Sequence, residues 1–387
     1  MARFGVWLAL SALLSCVVVG IKVEVSKKPP QLAYPDVFIL GAQKCATTVL
    51  NKMLMMHSQF CHTGVKEKHY FTDSAWVSKE MTDQYLGEFA DCGRGEITLD
   101  STPSYVADDG VPDRIAQAYP PEVLAKKKFV VIFRDPAARH YSQYQRDVRR
   151  CLMLNSERGS HKGFARKAEP LCQHVLRDPP TERGEIFNYL EQVFASKANL
   201  QSQLRSFAEW TAGDFGQKAL RRGYYLQQLE NWLQVIERRQ LFIISFESLI
   251  KNTTDVVLRL SSFLNVDGNE FFRVSGDNST FNGTASAVVN GTSSRIRLPP
   301  EPPTNHYRYY DKCRMDCPTY VHLESLWNTS NHGLVAFING AKDKPPSEPF
   351  FPPFTSSRAK CYPGVWVQEP QHLRGWFNVS THKPQGP

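Results

Sequence analysis

Four short runs along the chain are rich in Val, Ile, Leu and Phe: Val37–Leu40, Ile97–Leu99, Phe129–Phe133 and Leu241–Ser245. Apolar runs of this length, bounded by turn residues, predict strands buried on both faces. Between them, apolar positions recur with helical spacing at about 47–57, 112–118, 136–150, 186–210, 220–238 and 254–264. Strands alternating with helices predict an α/β fold with a central parallel sheet flanked by helices. Ligands of such sheets gather beyond the carboxyl ends of the strands. Residues 270–312, rich in Asn, Ser, Thr and Pro, read as long loops. From Lys344 onward nine prolines fall in 44 residues, which predicts an irregular tail.

The amino terminus sets the compartment. Arg3 is followed by eighteen uncharged residues, Phe4 to Ile21, and then by Lys22, Lys27 and Lys28. That length fits a signal anchor or the apolar part of a cleaved signal, and either sends the rest into the secretory lumen. Asn-X-Ser/Thr occurs at Asn252, Asn278, Asn282, Asn290, Asn328 and Asn378, which agrees with a lumenal glycoprotein. Of nine cysteines, Cys16 lies in the leader and none stands in a CxxC pair or at zinc spacing. An oxidising lumen permits disulfides, and Cys151 with Cys172, and a pair among Cys313, Cys317 and Cys361, are the expected ones. The division that follows is a leader over 1–21, a stem over 22–35, one folded domain over 36–340 and a tail over 341–387.

Composition narrows the class only a little. The 387 residues are 42% hydrophobic and 22% charged, ordinary for a globular protein, and exclude a disordered or fibrous chain. The formal net charge of +8 suits a phosphorylated or polyanionic ligand but is too mild and dispersed to indicate nucleic acid.

Two segments carry candidate chemistry. The first predicted strand runs into Gly41-Ala42-Gln43-Lys44-Cys45-Ala46-Thr47-Thr48 and then a helix. Backbone N–H groups at a helix start face an anion, the helix dipole adds attraction, Lys44 supplies charge, and Thr47 and Thr48 supply hydroxyl donors. The spacing is not that of the NTPase P-loop, in which Lys adjoins the hydroxyl residue. The third strand ends in Arg134-Asp135-Pro136, with Ser142 two helical turns further on. Arginine suits bidentate phosphate contact and serine can donate to the same group, while Asp135-Pro136 reads as an N-cap followed by proline. Two phosphate clamps at two strand ends imply a nucleotide with two separated anionic groups.

The pairing of GxQKxxTT with RDPxxRxxSxY resembles the sulfotransferases, which use 3′-phosphoadenosine 5′-phosphosulfate (PAPS). Lys66-Glu67-Lys68-His69-Tyr70-Phe71, Asp100-Ser101-Thr102-Pro103-Ser104-Tyr105 and the stretch from Arg221 to Trp232 resemble segments of the lumenal heparan sulfate branch. The resemblance implies a P-loop-like sulfotransferase fold. It places the 5′-phosphosulfate on Lys44, Cys45, Ala46, Thr47 and Thr48, and the 3′-phosphate on Arg134 and Ser142. Arg297 falls in the segment that packs on the cofactor. Glu67 becomes the general base, with Lys44 stabilising the departing group and His69 orienting Glu67 or the acceptor. The expected partner is a glycan, an anionic polysaccharide in the first instance, with no metal and no nucleic acid. The expected place is the Golgi lumen, in a single-pass membrane protein. Ser101 stands where the 3-O branch has a sugar-contacting Lys, and Arg295-Ile296-Arg297-Leu298-Pro299-Pro300 lacks the Gly of the family's K-G-R-x-H-P loop. These departures leave other glycans, protein tyrosine or a small alcohol as acceptors, and a lumenal glycan-binding protein without catalysis as the non-enzymatic alternative.

Overall fold

The computed structural model describes residues 34–64, 66–72, 78–156, 170–182, 185–194, 202–272, 284–289, 292–297, 315 and 317–354. The leader, Cys313, Cys361 and the end of the tail lie outside the described residues. Among the described residues no helix is long and apolar enough to cross a membrane.

Four parallel strands form the central sheet: β1 (Val37–Gly41), β2 (Leu99–Asp100), β3 (Lys128–Phe133) and β4 (Leu241–Ser245), in the order β2-β1-β3-β4. β1 and β4 are buried throughout and β3 from Phe129 onward, as continuous apolar runs covered on both faces must be. The second run pairs only through Leu99 and Asp100, while Ile97 bridges to Phe60. Helix α1 (Thr47–Met55) follows β1, α2 (Lys79–Gly87) and α3 (Val111–Ala118) flank β2, and α4 (Pro136–Ser156) leaves β3. The first, third and fourth expected strands, the helix starts at 47 and 136 and the parallel sheet match, while the second strand is shifted to Leu99–Asp100.

Two long helical patterns are broken. The pattern at 186–210 resolves into α5 (Glu185–Phe194) and α6 (Phe207–Ala212), the latter started by a capping box between Ser206 and Glu209. The pattern at 220–238 resolves into α7 (Asp214–Arg221) and α8 (Tyr225–Trp232), with Gly223 between them. A Cβ on Gly223 would lie 2.7 Å from the Trp327 ring, so this chain reversal needs the bare backbone. Helices α9 (Phe246–Lys251) and α10 (Thr253–Leu264) follow β4.

The expected loops at 270–312 contain an antiparallel hairpin, β5 (Thr284–Val289) with β6 (Thr292–Arg297). The β-branched Thr and Val residues along the two strands account for it. Arg297, expected in a loop, ends β6. A long helix α11 (Cys317–Gly340) packs against α4 and α8. Beyond it residues 341–354 are irregular, as expected, yet they are anchored: Glu348 and Phe351 are buried. Glu348 pairs with Arg238 and accepts the Ile243 amide of edge strand β4 at 2.8 Å. The Lys126–Lys128 run that leads into β3 faces solvent only in part. Lys127 is buried, bonded to Asp36 at 2.8 Å and set over the Tyr119 ring.

Two disulfides are present. Cys151–Cys172 is the expected pair and ties α4 to the next segment, beside a second core of Tyr144, Trp210 and Trp327. Cys61–Cys92 was not expected, and it joins the segment before Lys66 to the end of α2.

Candidate active site

The first loop leaves β1 at Gly41, whose φ of 151° lies in the region that favours glycine. A Cβ there would lie 2.7 Å from the Pro103 carbonyl and 2.6 Å from Val106, so the loop seats directly on the segment after β2. Lys44 and Ala46 take left-handed backbone angles, which folds residues 42–46 into a tight cup ahead of α1. Cys45 is buried inside it, its thiol directed to the Gln43 carbonyl. Burial pushes that thiol up to about 12, so Cys45 fills the turn rather than reacting. Thr47 is buried and Thr48 half-buried in the first turn of α1.

Arg134, at the end of the neighbouring strand β3, closes over this cup. Its Nη1 donates to the Lys44 carbonyl at 3.4 Å, and its guanidinium lies 4.5 Å from the Phe246 ring centre. Tyr225 in turn donates to the Arg134 carbonyl at 3.0 Å, and its ring is buried in the core. Ser142 is buried on α4, the helix that Arg134 leads into.

The site holds more positive charge than the sequence motifs alone indicate. Arg139, Arg146 and Arg150 recur on one face of α4, a signal readable from their spacing of seven and four. Arg222, between α7 and α8, donates to the Gln43 side chain inside the first loop. Asp147 is the buried counter-charge, bonded to Arg146 at 2.7 Å and to Gln143 at 3.0 Å. Arg139 is fully buried, with Nη2 on the Ala219 carbonyl at 2.6 Å while Nε and Nη1 find no partner among the described residues. Burial among Arg146, Arg134 and Arg150 pulls the Lys44 ammonium down to about 7. A cluster that strains its own lysine in this way has room for anionic charge, and the donor set fits a phosphorylated nucleotide.

The second group of residues lies on the segment before β2's carboxyl end. Lys66 Nζ contacts Glu67 Oε1 at 2.8 Å, and His69 Nε2 lies 3.7 Å from Glu67 Oε2. The imidazole of His69 close by, with Lys66 beside it, holds the Glu67 carboxyl down at about 2. Both side chains are exposed. His69 also reaches Ser104 Oγ at 3.4 Å through Nδ1. The backbone N–H groups of Lys68 and His69 both meet Thr102 Oγ1, at 3.1 and 3.3 Å. Thr102 adjoins Pro103, which touches Gly41, so residues 102–103 bridge the Glu67 segment and the Lys44 loop. Lys44 and Arg134 are thus in direct contact, Glu67 and His69 form a second pair, and residues 102–103 contact the segments that carry Glu67 and Lys44. Of Arg297 only the backbone, in β6, is described.

Beyond Lys68, whose ammonium is paired with Glu88 at 3.2 Å, a pocket of about 570 Å³ is lined by His62, Gln84, Glu88, Asp91 and Glu96. Cys61, Cys92 and Glu96 come close together there, but the cysteines form a disulfide and offer no thiolate to a metal.

The sheet thus carries a tight, lysine-bearing cup after its first strand, contacted by an arginine from the neighbouring strand. Residues 34–296 match the family model of the sulfotransferase domain, and the chain belongs to that family. It is 23% identical over 276 residues to the membrane-associated sulfotransferase kil1 of Dictyostelium discoideum, covering 61% of this chain and 57% of that protein. To human heparan sulfate glucosamine 3-O-sulfotransferase 3B1 it is 24% identical over 237 residues, 59% of this chain and 46% of the relative. The chain thus spans about half the length of these relatives. A sulfotransferase from Alicyclobacillus acidocaldarius superposes with a TM-score of 0.46 at 20% identity, over 79% of this chain and 96% of that one.

Proposed function

We propose that this sulfotransferase moves the sulfuryl group of PAPS to a hydroxyl or amino group of a glycan in the secretory lumen. The observation that carries the reading is the direct link between Lys44 on the first loop and Arg134 at the end of β3. It supports one nucleotide held at both anionic ends. Lys44, Cys45, Ala46, Thr47 and Thr48 would hold the 5′-phosphosulfate, Arg134 and Ser142 the 3′-phosphate, and Arg297 the outer side.

In the displacement the acceptor oxygen forms a bond to sulfur in line with the bond that breaks, from sulfur to the 5′-phosphate oxygen. The acceptor proton passes to the Glu67 carboxylate. Lys44 stabilises the negative charge that grows on the bridging oxygen. His69 holds the Glu67 carboxylate in place. No step requires a metal.

The two disulfides and the sequons support a lumenal setting. A Golgi protein held by residues 1–21, with a stem over 22–35, a catalytic domain over 36–340 and a tail beyond it, accommodates both. The acceptor side carries an observation of its own. Between residues 57 and 118 eleven Asp and Glu face five Lys and Arg, although the whole chain is positive. That balance, with the acidic pocket beside Lys68, favours a neutral or sparsely sulfated glycan over a densely anionic chain.

The test is transfer from ³⁵S-labelled PAPS to a panel of unsulfated, desulfated and sulfated glycans and a tyrosine peptide, with Lys44→Ala as control. Label on a glycan that vanishes in the variant supports the reading. Label on the peptide alone replaces the glycan with protein tyrosine. Failure to bind the nucleotide overturns the assignment.

A further inference from the structure

We propose that Thr102, fixed by the buried carboxylate of Asp100, is a positioning residue that sets the place of Glu67 relative to Lys44. The inference rests on the reading of Glu67 as the base. The hydroxyl of Thr102 uses all its capacity. Its oxygen accepts the consecutive amides of Lys68 and His69 at 3.1 and 3.3 Å, and its proton goes to Asp100 Oδ1 at 2.6 Å. Asp100 is wholly buried, and its second oxygen accepts from Tyr85 and Tyr105, each at 2.9 Å. Tyr105 in turn accepts the Phe71 amide at 3.3 Å. Three backbone N–H groups of the Lys68–Phe71 stretch therefore terminate, each through one hydroxyl, on a single buried carboxylate.

Such a template is needed because His69 holds a φ of 58°, a conformation that residues with a side chain adopt rarely. Fixed in that turn, Glu67 and His69 meet across 3.7 Å at the surface. The same template is registered to the nucleotide half. Thr102 runs into Pro103, whose carbonyl would lie 2.7 Å from a Cβ on Gly41, three residues before Lys44. Thr102 thus joins the segment that takes the proton to the loop that holds the leaving group. It touches neither reacting atom, and its contribution is alignment.

The test uses the full chain and the variants Thr102→Val, which keeps the shape and loses the hydroxyl, and Thr102→Ser, which keeps the hydroxyl. Amide hydrogen exchange of residues 66–72 is read first, because it needs no acceptor. Exchange at Lys68 and His69 is expected to quicken about tenfold or more in Thr102→Val and to stay near wild type in Thr102→Ser. Turnover is then read as ³⁵S transfer from PAPS to N-desulfated heparan sulfate. It is expected to fall about 10- to 100-fold in Thr102→Val with nucleotide affinity within about twofold, and to recover in Thr102→Ser. Unchanged exchange, or a loss of nucleotide affinity as large as the loss of turnover, overturns the inference. Glu67→Gln separates the two levels. If that variant stays active the base reading fails; if it is inactive while Thr102→Val turns over normally, only the positioning role fails.

Discussion

Arg134 donates to the backbone carbonyl of Lys44 across 3.4 Å, so these two cationic residues are joined through main chain rather than through a shared carboxylate. The contact spends one guanidinium N–H and leaves the rest of the fork, 4.5 Å from the Phe246 ring centre, for an oxyanion. Arg134→Lys is therefore expected to behave nearly as badly as Arg134→Ala. Each should weaken binding of adenosine 3′,5′-bisphosphate by about 10- to 100-fold, measured by calorimetry, because charged hydrogen bonds contribute about 1.5–3 kcal/mol. A lysine variant with wild-type affinity would show that charge alone suffices.

Lys44, held at about 7 by burial among arginines, is largely neutral at pH 8 in the free protein. An anion beside it restores the ordinary, higher value. Binding of the bisphosphate at pH 8 should therefore take up close to one proton, and at pH 6 almost none, since the ammonium is already formed there. Titrations in two buffers of different ionisation enthalpy measure this directly, and Lys44→Met should abolish the difference. Turnover in that variant should fall by about 10²- to 10³-fold.

Glu67→Gln keeps the contact with Lys66 but cannot take a proton. Turnover should drop by about 10²- to 10⁴-fold with nucleotide affinity unchanged. With its carboxyl held at about 2, Glu67 is ionised throughout pH 5–8, so any acid limb of the rate profile in that range must come from another group.

His140 is buried between Phe207, Trp210 and Trp327, with Nε2 on Thr211 at 3.1 Å. Burial presses its imidazolium down to about 2, against an ordinary value near 6.5. Above about pH 6.5 it is neutral whether folded or unfolded. As pH falls from there toward 2 only the unfolded chain takes the proton, and stability is lost. Urea midpoints between pH 7 and 5 should fall, and His140→Gln should flatten that slope. A parallel slope in the variant would place the titration elsewhere.

Much of this architecture is legible in the sequence because its strands are short and apolar throughout, and because Gly41, Lys44 and Arg134 stand in characteristic company. The segment around Glu67 is legible only as a resemblance. Helix α2 is not visible, since Tyr85 is its one buried residue and no apolar stripe forms. The helical patterns at 186–210 and 220–238 run on because periodicity does not register a capping box at Ser206 or the pressure of Trp327 on Gly223. Cys61–Cys92 joins residues 31 apart, and cysteine spacing does not encode pairing. The bonding of Thr102 to Lys68 and His69 links segments more than thirty residues apart, and a threonine in a motif does not announce which hydrogen bonds it makes.

Glu348 lies far outside the catalytic motifs, yet it is buried against Arg238 and the Ile243 amide. Glu348→Ala leaves a buried guanidinium unpaired and should cost about 3–5 kcal/mol in denaturant unfolding. The same contact has a meaning for the life of the chain before and after folding. β4 is the outer strand of the sheet, and an open outer strand is a template on which a second molecule can add its own backbone. The carboxylate occupies one of the amides such an addition would need. The irregular stretch after α11 thus serves as a selvedge, finishing the cloth so that it neither frays nor is stitched to its neighbour.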